Sequence, residues 1–170
     1  MKYFVRVVSV LILLVYTVEG IFLAGVSAWG FVKGVQNIPY VGGGTIDGET
    51  TPILDGIGRF LLGVGCVFLV AVILMAAAEI FFLIRNYVMA IQNRSFRYYR
   101  FMSVIALIAG AVNFVAFLIM ALTISSVPYV FHTETFLETS GIVLFFVNLF
   151  MEFWSLLNLL SSSQCIRDGL

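Results

Sequence analysis

Hydrophobic positions in this chain fall into four long runs, and polar positions collect between them. The runs extend from about Phe4 to Val32, Phe60 to Ile84, Phe101 to Val127 and Gly141 to Leu160. Each is long enough to cross a bilayer as a helix, which takes about 20 mostly apolar residues. Pro39, Pro52 and Pro128 fall in connections or at a span end, where a missing backbone donor costs little. Strands fit less well. The runs are too long, lack period-two alternation, and would leave unpaired sheet edges in lipid. The pattern predicts an all-α fold: a single domain over 1–170, an antiparallel four-helix transmembrane bundle of the tetraspan kind.

The connections differ in character. The segment 33–59 holds Gly42-Gly43-Gly44, two prolines, Asp47, Glu49 and Asp55, the composition of a polar, acidic outer loop. The segment 85–100 (RNYVMAIQNRSFRYYR) is basic. Its Val88, Ala90 and Ile91 continue a helical pattern, so helices two and three are expected to run past the membrane surface. The segment 128–140 is short and carries His132, Glu134 and Glu138. Lys2 and Arg6 begin the first span as they would a signal peptide. Its apolar stretch is too long for a signal core, however, and Glu19 interrupts it.

Composition removes whole classes of function. Of 170 residues, 62% are hydrophobic and 11% charged, with a mean hydropathy of +1.11. A soluble domain has about 25% charged residues. Nine Lys and Arg balance nine Asp and Glu, so no basic field exists to hold a nucleic acid. The basic residues are placed asymmetrically. Lys2, Arg6, Arg85, Arg94, Arg97, Arg100 and Arg167 fall on one side of the predicted membrane, and Lys33 and Arg59 on the other. The positive-inside rule then puts both termini and the 85–100 link in the cytoplasm. Asn93-Arg94-Ser95 matches a glycosylation acceptor but sits on that same side, so it is read as chance.

Three carboxyls lie within the spans: Glu19, Glu79 and Glu152. Each costs roughly 2.5–3.5 kcal/mol on insertion scales. No Lys or Arg lies mid-span to pair with them, so a neutral carboxyl donating a hydrogen bond to another helix is the economical state. Glu79 lies six residues before Arg85, which puts it about 9 Å inside the surface. Glu19 and Glu152 fall nearer the middle of their spans, so the three are not obviously at one level, which weakens a single-site reading. Asn148, Glu152 and Ser155 share one side of span four by their spacing, and Asn113 of span three is in a position to meet them. These six residues are the candidate polar network. Either they clamp helices together or they form a proton or cation path. Gly20, Ala24 and Ala28 in span one, with Ala106 and Gly110 in span three, are candidate close-packing positions, within the bundle or against another subunit. Arg85, Arg94, Arg97 and Arg100, among tyrosines, suit anionic lipid or a cytosolic partner. Cys165 sits just past span four, where reversible palmitoylation is possible. Cys66 lies inside span two, too far along the membrane normal to pair with it.

Several chemistries find no footing. One histidine, His132, does not make a haem or metal site. No GxSxG, HExxH, P-loop or GxGxxG occurs. No enzymatic activity and no cofactor are expected.

The four-span plan with cytoplasmic termini resembles the MARVEL-like tetraspan proteins of vesicles and Golgi. The stretch Ala78-Glu79-Ile80, an aromatic and basic link, and a Gly-containing third span is similar to the COPI-associated Golgi membrane proteins. Arg97-Tyr98-Tyr99-Arg100 stands where a Gly-Arg-Gly element would be in that pattern. The resemblance implies membrane organisation or trafficking. The expected role is therefore structural or assembly-related. The protein would pack with membrane lipids and with like copies or other membrane subunits. Alternatives are an accessory subunit of a respiratory or transport complex, and a proton or cation channel using the three glutamates.

Overall fold

The computed structural model describes residues 1–37, 52–124 and 134–169. They form four helices: α1 Lys2–Asn37, α2 Pro52–Gln92, α3 Phe96–Ile124 and α4 Glu134–Arg167. All four are long and apolar enough to cross a membrane, with spans Lys2–Lys33, Gly63–Gln92, Phe96–Leu118 and Thr139–Arg167. Each helix exceeds its expected run because polar residues flanking the apolar stretch continue the backbone hydrogen bonding. α2 carries on for two turns past Ile84 and α3 begins at Phe96, as the helical pattern of 85–100 predicts. Most of the outer loop (38–51), the end of the third run (125–127) and His132 lie outside the described residues.

Helix boundaries follow local chemistry. α2 opens on proline, whose missing N–H would have had no intrahelical partner there. It ends in a tight turn in which the Asn93 N–H donates to the Met89 carbonyl at 3.0 Å. Arg94 then adopts φ 48°, a left-handed conformation that glycine or asparagine usually supplies at a helix end. For an arginine this costs about 1–2 kcal/mol. Ser95 caps α3 by accepting from the Arg97 N–H at 3.4 Å. α4 ends with Gly169 at φ 72°, and Arg167 in its last turn complements the helix dipole.

The chain divides into two compact units. One comprises Met1–Glu19 with Glu79–Leu170, and the other Gly20–Ala78. The second contains α1 and α2 residues alone, with Leu23, Ser27, Cys66 and Ala76 buried. A Cβ added to Gly30 would meet Leu69 at van der Waals distance.

All four helices contribute to the first unit. Its core gathers Val8, Ile12 and Tyr16 of α1, Leu83 of α2, Met102, Ala106 and Ala109 of α3, and Met151 of α4. Aromatic contacts tie the helices together: Phe114 to Phe145 at 4.5 Å and Phe4 to Trp154 at 5.9 Å between ring centroids. From Asn148 onward the buried positions of α4 are Asn148, Met151, Ser155, Asn158, Ser162 and Cys165. They recur at alternating steps of three and four, the seam of a heptad repeat, and four of the six are Asn or Ser. Phe146, Phe150, Phe153 and Leu160 of the same helix point outward and are exposed. α4 thus turns a polar stripe inward and an apolar face outward, the reverse of a helix in water.

Candidate functional site: a buried carboxyl and amide network

Glu19, Glu79 and Glu152 each fall within two residues of the midpoint of their apolar helical segment. The helix bearing Glu79 continues past Arg85 to Gln92, as the helical pattern of 85–100 predicts. Glu19 lies close enough to Glu79 and to Glu152 for their charges to interact.

Glu19 is fully buried and Glu79 nearly so, whereas Glu152 is half-buried. The Asn148 amide donates to Glu19 Oε2 at 3.1 Å, joining α4 to α1. Asn113 of α3 lies between Glu19 and Glu79, within reach of both carboxyls. Ser155 lies beside the Tyr16 hydroxyl. Toward the basic end of the unit, the Asn158 amide donates to Ser9 Oγ at 3.0 Å and to Ser103 Oγ at 2.9 Å. One side chain thereby bridges α1, α3 and α4. The Ser103 hydroxyl in turn donates to the Tyr99 carbonyl at 3.0 Å. All six predicted network residues lie in the same unit. Asn113, Asn148 and Ser155 are buried with Glu19 and Glu79.

Tyr16, Ser9, Ser103 and Asn158 belong to the same interior and escape sequence reading. Tyr16 counts as an apolar residue in a hydrophobic run. A serine hydroxyl in a membrane helix also has an alternative partner in its own backbone. The signal that finds Asn158 is its heptad relation to Asn148, Met151 and Ser155.

Close packing surrounds the carboxyls. Gly110 of α3 is buried, and a Cβ added there would run into the Glu152 carboxyl and the Tyr16 hydroxyl. A side chain at this crossing would have to displace both polar groups, which occupy the space it would fill. Ala106, one turn earlier, is fully buried. In α1 the small-residue row fades outward: Gly20 is buried, Ala24 half-buried and Ala28 exposed. Unpartnered polar atoms remain at Glu19 Oε1, Glu79 Oε1, Asn113 Nδ2, Asn148 Oδ1, Ser155 Oγ and the Tyr16 hydroxyl. They mix donors with acceptors, which suits mutual pairing after small rotations. Among the described residues, no group of three or more His, Cys, Asp and Glu side chains converges tightly enough to hold a metal ion. Every described Lys and Arg side chain is exposed, so among the described residues no interior cation offsets the carboxyls.

Arg85, Arg94, Arg97 and Arg100 are exposed, as an interfacial role requires. Cys165, the candidate palmitoylation site, lies in the interior. Its thiol is free but fully buried among Val5, Ala90, Phe96 and Tyr99, because the heptad stripe of α4 carries it into the core. An acyl donor has no access to a side chain so enclosed. Cys66 is also free and buried, in the other unit.

Comparisons with protein-family models, curated proteins and solved structures found no match.

The Gly110 contact generates a direct test. Gly110→Ala should lower the thermal unfolding temperature in detergent, with a cost of about 1–3 kcal/mol for overpacking. Adding Glu152→Ala to that variant should recover part of the loss by opening the space. A Gly110→Ala protein as stable as the original would mean that the crossing is loose.

Proposed function

We propose that this chain is a non-enzymatic, multi-pass integral membrane protein with a structural or assembly role. It is an antiparallel four-helix bundle with both termini in the cytoplasm. The contact pairs support the antiparallel course. Ser9 shares Asn158 with Ser103, Glu19 meets Asn148, and Phe114 meets Phe145. Residue numbers therefore rise along α1 and α3 as they fall along α4. The gathering of arginines at the Asn158 end of the unit supports a cytoplasmic location for that end.

The observation that carries the assembly role is the bareness of α2. Only 11% of its apolar span window is buried within the chain, against 39% for α1 and for α3. Phe68, Leu74, Phe81, Phe82 and Ile84 all stand exposed. In a bilayer such a face is covered by lipid tails or by another transmembrane surface, where packing replaces the hydrophobic drive. The interior, meanwhile, is filled by contacts between helices. A role in membrane organisation follows, through like copies or as an accessory subunit of a larger membrane complex.

Purification from native membranes in mild detergent, followed by mass measurement, tests this. A mass of two or more copies, or a stable complex with other membrane subunits, is expected. A lone monomer would contradict the assembly role.

A second reading is favoured by one observation, the nearness of Glu19 to both Glu79 and Glu152. Carboxyls clustered within membrane helices are the raw material of a proton or cation path. Close packing at Gly110 argues for clamps instead. Liposomes containing the protein should therefore pass protons and monovalent cations no faster than empty liposomes. A flux abolished by Glu152→Gln would establish transport in place of cohesion.

A further inference from the structure

Near the loop joining α2 and α3, the first unit bears a cleft of about 570 Å³ on its surface. Arg6 of α1 and Arg94 of the loop both line it, and both are exposed. Its floor is the buried set Ala90, Phe96 and Tyr99. Val7 and Ile91, 60% and 54% exposed, form apolar walls. Among the described residues no acidic side chain lines it. Phe96 and Tyr99 belong to the first turn of α3, which contains no acidic residue. The positive end of that helix dipole therefore borders the cleft without a carboxylate in the first turn to offset it.

The backbone at Arg94 sharpens the case. Glycine or asparagine would satisfy the left-handed turn at lower cost, yet an arginine occupies it at φ 48°. Strain retained at one residue invites a functional explanation, and here the strained residue is an arginine that lines the cleft. A second cleft at the same end, lined by Arg97, Arg100, Phe101, Val104 and Ile166, lacks both the left-handed arginine and a buried floor.

We propose that the Arg6–Arg94 cleft binds one anionic phospholipid, its phosphate held by the two guanidinium groups and the start of α3, and an acyl chain laid along Val7 and Ile91. Charge complementarity selects the headgroup, and two arginines can each form paired hydrogen bonds to phosphate oxygens. Apolar walls continuous with a membrane-spanning surface select a lipid over a free phosphate. The half-buried Tyr87, also in the lining, adds a hydroxyl of the kind found at headgroup level.

The proposal rests on the membrane-embedded reading, and its test separates the two. The full chain in detergent is titrated with phosphatidylglycerol or phosphatidylcholine, and bound lipid is counted by native mass spectrometry. One phosphatidylglycerol should bind in clear preference to phosphatidylcholine. Arg94→Gly suits the left-handed backbone and should fold at least as well as the original. It and Arg6→Gln should each weaken phosphatidylglycerol binding by about fivefold, the worth of one basic residue at an anionic surface. Arg167→Gln, exposed but outside the cleft, should leave binding unchanged. Glycerol phosphate, which lacks acyl chains, should not compete. Equal binding of the two lipids would overturn the proposal. So would an Arg167→Gln loss matching that of Arg94→Gly, which would indicate diffuse surface charge, or displacement by glycerol phosphate. A chain that stays monodisperse without detergent would instead overturn the membrane reading.

Discussion

Hydrogen bonding between polar side chains in an apolar interior is the constraint around which this structure is organised. Glu19, Asn148 and Asn158 are fully buried, and no lipid tail could satisfy them. Their partners must come from neighbouring helices, so satisfying them fixes which helix faces which, and at what register. Asn158 alone holds Ser9 and Ser103 at once. Such bonds are individually modest in membranes, about 0.6 kcal/mol on average. Their directionality still specifies rotation and register, which apolar packing between lipid-like surfaces does poorly. Gly110 adds the steric half of the same specification, because the Glu152 and Tyr16 head groups occupy its missing side chain's space.

The same division explains the exterior. With polar groups turned inward along the α4 heptad, phenylalanine and leucine are left to face outward. α2 takes this furthest, joining the network chiefly through Glu79 while most of its span stays uncovered. The arginines gather where the spans end. One of them, Arg94, holds a backbone conformation that its residue type disfavours. Cohesion inside and contact outside are thus divided between different faces of the same helices.

The fold was legible to the extent that composition and run length govern it. Four helices follow from four long apolar runs without internal proline, and their continuation toward 92 and from 96 follows from Val88, Ala90 and Ile91. The interior was harder to read. In a membrane helix both the lipid face and the core face are apolar, so amphipathic contrast nearly vanishes and only polar residues mark the inward side. Asn148, Glu152 and Ser155 did so. Asn158 and the serines on α1 and α3 were hidden because small polar residues are common in such helices. The enclosure of Cys165 depends on heptad phase, which its position just after an apolar run does not disclose.

The central claim is that interior acids and amides hold the helices to one another. A double-mutant cycle on the pair Glu19 and Asn148, using Glu19→Leu, Asn148→Leu and both together, measures it most directly through unfolding in bicelles. A favourable coupling of about 0.5–1.7 kcal/mol is predicted, the range of interhelical hydrogen bonds in membranes. Additive losses, with no coupling between the two positions, would contradict the account.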